Sequence, residues 1–70
     1  MKKFETELPE NYDALKKQAN YTSSWRDRLN AVQALSAYKH EKIIDLLNNR
    51  VQNDTVYKVQ IAAYEALVAF

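Results

Sequence analysis

Trp25-Arg26-Asp27-Arg28-Leu29-Asn30-Ala31-Val32-Gln33-Ala34-Leu35 and Tyr57-Lys58-Val59-Gln60-Ile61-Ala62-Ala63-Tyr64-Glu65-Ala66-Leu67 are two versions of one segment. Each residue of the first lies 32 positions before its counterpart, and Ala31, Ala34 and Leu35 recur as Ala63, Ala66 and Leu67. A period of ~20–50 residues marks a protein assembled from stacked supersecondary units. The same offset carries Tyr12, Leu15 and Ala19 onto Ile44, Leu47 and Val51, all three apolar. The segment 9–38 therefore matches 41–70 as helix, short break, helix, behind an N-terminal lead of residues 1–8.

The composition agrees with helices. Glycine is absent and there is one proline, which disfavours tight hairpins and leaves Asn, Asp and Ser to make the connections. It also excludes glycine-rich phosphate loops and dinucleotide fingerprints. Seventy residues make one small domain, and without cysteine no disulfide or thiolate metal site can staple it. The lack of cysteine fits a cytoplasmic protein. The basic start Met1-Lys2-Lys3 has no apolar run behind it, so it does not read as a signal peptide. Ten Lys and Arg against nine Asp and Glu leave a net charge of +1, which supplies no global field for nucleic acid or anionic lipid. Neither a membrane partner nor a cofactor is expected.

Four helices are expected in two pairs. The first begins near Pro9, whose missing N–H suits a first turn, with Glu10 and Asp13 complementing the dipole. Asn20-Tyr21-Thr22-Ser23-Ser24 is a break that supplies an N-cap, and the second helix runs from about Ser24 to Tyr38. After Lys39-His40-Glu41, the third spans about Glu41 to Val51. Asp54 or Thr55 is the expected cap of the fourth, which runs from about Val56 to the end of the chain.

The second helix of each pair resembles that of HEAT repeats, at a period close to the short HEAT-like repeats of phycobilisome bilin-lyase relatives. That family's second helix reads Val-Arg-x-Ala-Ala-x-x-Ala-Leu, beside Val59-Gln60-Ile61-Ala62-Ala63-Tyr64-Glu65-Ala66-Leu67 and Asp27-Arg28-Leu29-Asn30-Ala31-Val32-Gln33-Ala34-Leu35 in this chain. Arg28 retains the family's arginine where the second copy has Gln60, and Asp54 matches its acidic turn residue, with Thr22 as counterpart. The proline common at the start of the second helix is missing from both copies. The resemblance implies an all-α, right-handed stack of two helical hairpins. It also implies that Arg28 makes a structural contact between repeats. A plain four-helix up-and-down bundle is the other architecture, and the two differ in whether helices two and four lie side by side.

A helical wheel of the fourth helix gives one apolar face of Val56, Val59, Ala63, Ala66, Leu67 and Phe70, and a second of Tyr57, Ile61, Tyr64 and Val68. The second helix has corresponding stripes, Ala31, Ala34, Leu35 and Tyr38, then Trp25, Leu29 and Val32. A helix with two apolar faces must be covered twice, by its hairpin partner and by the adjacent repeat. Tyr57, Ile61, Tyr64 and Val68 are thus expected to meet a second copy of the chain or a further C-terminal segment.

Catalytic chemistry is not signalled. His40 is the single histidine, and no His, Cys or Asp spacing gives it metal-binding or acid–base partners. Asp27 and Asp45 sit on different helices, and Ser23-Ser24 has no base beside it. The expected function is a non-enzymatic protein or peptide interaction module, with Arg26, Asn30, Gln33, Lys58, Ala62 and Glu65 lining its groove. The alternative is a nucleic-acid-binding helical repeat of the DNA-repair type, using Arg26, Lys58 and Trp25; Asp27 and Glu65 partly cancel its cations.

Overall fold

The described part of the chain, residues 7–69 of a computed structural model, consists of four α-helices and no strand. They are α1 (Tyr12–Tyr21), α2 (Trp25–Leu35), α3 (Glu41–Asn53) and α4 (Tyr57–Val68). The lead residues 1–6 and Phe70, placed above on an apolar face of the fourth helix, lie outside the described residues.

The helix boundaries follow local hydrogen bonding and correct several expectations. The first helix starts at Tyr12 rather than at Pro9, because the Pro9 carbonyl accepts the Tyr12 N–H at 3.0 Å and closes a turn ahead of it. Ser24 caps α2 as expected, its hydroxyl accepting the Asp27 N–H at 3.3 Å. That helix stops at Leu35, short of Tyr38. The Ser36 hydroxyl donates to the Gln33 carbonyl at 2.6 Å, and the Tyr38 N–H bonds back to Leu35. His40 caps α3, its Nδ1 accepting the Lys42 N–H at 3.1 Å. The third helix continues past Val51 to Asn53, and the fourth begins at Tyr57 after Val56. Neither Asp54 nor Thr55 is the N-cap of α4. The Asp54 carboxylate accepts the Val56 N–H at 2.9 Å, shaping the turn one step earlier.

Each helix packs on its hairpin neighbour, α1 on α2 and α3 on α4, and α2 also lies alongside α4. By contrast, α1 and α3 meet only at a few positions. The core forms where these contacts converge, on Ala19, Ala31, Val32, Leu35, Ile43, Leu46, Leu47, Val59, Ala63 and Ala66. Small residues at Ala63 and Ala66, on the side of α4 that meets α2, let the two helices approach closely, and Val32 and Val59 are fully covered. Ala34 is a correction: it recurs as buried Ala66, yet Ala34 itself is exposed. Among the described residues nothing packs on that side of α2, whereas the same side of α4 meets α2.

A buried polar clamp ties the two hairpins together. Asp54 lies in the turn between α3 and α4 with its side chain wholly buried. It receives Arg28 Nε at 2.9 Å and Nη2 at 3.2 Å from α2, and Arg50 Nη1 at 3.1 Å from α3. Arg28 Nη1 also donates to the Thr22 carbonyl at 2.8 Å, at the end of α1. One side chain thus reaches two of the chain's junctions, α1–α2 and α3–α4. Burial opposes ionisation of Asp54, but the Arg28 hydrogen bond, the Val56 N–H and the charges of Arg28 and Arg50 outweigh it. Its carboxyl is held below the usual carboxylate range. Gln60, the counterpart of Arg28, keeps only the short reach within its own hairpin, donating to the Val51 carbonyl at 3.2 Å.

Candidate binding surface

Of the expected groove residues, the adjoining α2 and α4 bring Arg26 together with Lys58, and Gln33 together with Ala62 and Glu65. Arg26, Asn30, Gln33, Lys58 and Glu65 are exposed, and Ala62 is half-buried. They fall into two groups. At the N-terminal ends of the two helices, Arg26 Cζ lies 5.3 Å and Lys58 Nζ 5.1 Å from the centre of the Trp25 ring. The indole is half-buried against the core, so its ring is both packing and platform. Towards the C-terminal ends, Gln33, Ala62 and Glu65 line a shallow depression of about 280 Å³ floored by Ala66 and Ala69. Asn30 is exposed on the same helix but lines neither feature.

The surface therefore carries two cations at one end and a carboxylate at the other, over a floor of alanines. Small floor residues let a ligand backbone come close. Among the described residues, no three His, Cys, Asp or Glu side chains are grouped to hold a metal ion.

The face of Tyr57, Ile61, Tyr64 and Val68 is open, with 72, 38, 60 and 68% of these residues exposed. Their counterparts on α2, Trp25 and Leu29, are half-buried and Val32 is wholly buried, because α4 covers that flank. The difference is that α2 has α4 beside it, whereas among the described residues no helix covers this face of α4.

A second concavity was not anticipated from the sequence. Where α1 and α3 diverge, a groove of about 560 Å³ opens, lined by Tyr12, Lys16, Asn20, Lys42, Asp45 and Arg50 among others. Two of its lining residues carry buried atoms, Asn20 Oδ1 and Arg50 Nε, that have no hydrogen-bond partner among the described residues. The signal was faint: apart from Tyr12, read above as part of an apolar face, these residues are polar positions of two helices that meet only at a few positions.

Among the described residues no helix is long and apolar enough to cross a membrane. Compared with models of known protein families, with curated proteins and with solved structures, the chain has no match in any of the three.

Proposed function

We propose that this chain is a non-enzymatic interaction module built of two HEAT-like repeats, binding a protein or peptide along α2 and α4. The observation that carries the reading is the meeting of Arg26 and Lys58, repeat-equivalent positions, at one aromatic ring where the two helices adjoin. Pairing of α1 with α2, of α3 with α4 and of α2 with α4 supports the stacked-hairpin reading, as does the Arg28–Asp54 link from one hairpin to the next. The partner that suits the surface is a peptide with an acidic side chain at the Arg26–Lys58 end and a basic one near Glu65.

The test is selection of peptides from a random displayed library, followed by calorimetric titration of the best binder. Arg26→Ala with Lys58→Ala should weaken binding about tenfold or more, the effect of losing an interface anchor, with an unchanged melting temperature. Equal binding by the variant removes both residues from the site.

A nucleic-acid-binding repeat is the second reading, favoured by the same two cations around an indole. Against it stand a net charge of +1 and the acidic Asp27 and Glu65 on the same helices. A mobility shift of duplex DNA that weakens steeply with added salt would select it over peptide binding.

A further inference from the structure

The residues that α4 leaves in solvent, Tyr57, Ile61, Tyr64 and Val68, recur at spacings of four, three and four, the pattern of a coiled-coil seam. Tyr57 and Tyr64 take the d positions and Ile61 and Val68 the a positions. Lys58 and Glu65 then fall at e, both exposed, and Gln60 and Leu67 at g, both half-buried. The seam points away from Val59, Ala63 and Ala66, the buried side of the same helix.

We propose that α4 pairs antiparallel with α4 of a second copy of this chain, about a two-fold axis between Ile61 and Tyr64. Charge complementarity selects this occupant and this direction. When two heptad helices run antiparallel, the e positions of one face the e positions of the other, whereas parallel helices set g against e. In the antiparallel pair Lys58 meets the partner's Glu65 and Glu65 meets the partner's Lys58, so the two-fold satisfies both charges at once. In the parallel pair Glu65 would face only the neutral Gln60. The apolar layers also match, with Ile61 against the partner's Tyr64 and Tyr57 against the partner's Val68. Lys58 contacts Trp25 in the free chain at an exposed site, from which an opposite charge can draw it.

Head-to-tail stacking of copies is disfavoured by the surface it would need. The side of α2 equivalent to Val59, Ala63 and Ala66 carries Asp27 and Ala34 in solvent, and Ala31 is already covered. An apolar stripe laid there would desolvate the Asp27 carboxylate without a cation to receive it.

Four seam residues per copy fall short of the ~800 Å² per partner of a standard interface, so the dimer is a weak, concentration-dependent one. Sedimentation equilibrium should show the mass rising from 8.2 kDa towards twice that value as concentration increases. Lys58→Glu alone and Glu65→Lys alone should each stay monomeric, because each sets like charges together twice. An equimolar mixture of the two should dimerise, because the pairing is restored across the interface. Tyr64→Glu should abolish assembly while circular dichroism stays that of the wild type, since the residue is exposed. A wild type that remains monomeric to ~1 mM, or a dimer indifferent to both swaps, overturns the proposal. Mass growing beyond the dimer overturns it in favour of head-to-tail stacking.

Discussion

The Arg28 guanidinium holds the Asp54 carboxylate through two hydrogen bonds, Nε to Oδ2 at 2.9 Å and Nη2 to Oδ1 at 3.2 Å, across 26 residues of sequence. It is a buried, forked contact between α2 of one hairpin and the turn of the next. The fork fixes the orientation of both groups, which a lysine at position 28 could not do. Because Asp54 also receives Arg50 and the Val56 N–H, the turn between α3 and α4 is built around this carboxylate.

Removal of one partner should be far worse than removal of both. Asp54→Ala strands the Arg28 charge in a buried site and is expected to cost about 3–5 kcal/mol. In a domain this small that approaches the whole margin of stability. Arg28→Met combined with Asp54→Leu should lose less than the two single variants together. Urea unfolding followed by circular dichroism at 222 nm measures the cycle; strictly additive losses would show that the clamp is not a coupled unit.

The clamp also sets an acid limit. Asp54 titrates below its ordinary value of 3.8 in the folded chain, so the unfolded chain binds its proton first as pH falls. The stabilisation is complete above 3.8 and drains away as pH drops through the depressed folded value. Urea midpoints of the wild type should therefore fall in that acid window. The midpoints of Asp54→Asn should start lower and change less, and parallel profiles for the two proteins would count against this assignment.

The alanines of the repeat should respond unequally to enlargement. Ala63 is wholly buried, and Ala63→Leu is expected to overpack the interior at about 1–3 kcal/mol. Ala66→Leu should act in the same direction. Ala34→Leu, at the position equivalent to Ala66 but in solvent, should stay within about 0.5 kcal/mol of the wild type. Thermal melts of the three variants test the order. A damaging Ala34→Leu would mean that α2 has a neighbour on that side.

His40 acts as the cap of α3, and its contribution is open to improvement. His40→Ala removes the acceptor for the Lys42 N–H and should cost about 0.5–2 kcal/mol. His40→Asp should equal or exceed the wild type, because a carboxylate caps as well and also complements the positive end of the helix. Melting temperatures in the order Asp, His, Ala would bear this out, and a stabilising His40→Ala would refute the capping role.

The helices were legible because local signals agree. Ser24 reads as a cap before a periodic stripe; of Ile44, Leu47 and Val51, the apolar positions read from the offset on α3, Leu47 is buried and the other two half-buried, while Ile43 and Leu46 complete its core side. Boundaries were less legible, since they rest on single hydrogen bonds. The Ser36 hydroxyl ends α2 three residues early, and the pull of Arg28 and Arg50 on Asp54 moves the start of α4 to Tyr57. On the binding surface, the equivalence of Arg26 and Lys58 could be read from the offset, but their meeting at Trp25 could not. The α1–α3 groove gave no periodic signal, because a gap between helices is a property of how others pack.

What the sequence by itself determined is the inventory: four amphipathic helices in two pairs, equivalent positions 32 residues apart, and an apolar face on α4 in excess of one core. What the tertiary structure alone decided is which of the equivalent positions are covered. Val32 is buried and its counterpart Tyr64 exposed, while Ala66 is buried and Ala34 exposed. The physical reason is that periodicity specifies which direction a side chain points from its own helix. Burial requires a neighbour in that direction, and α2 has α4 on one flank while the matching flank of α4 faces water.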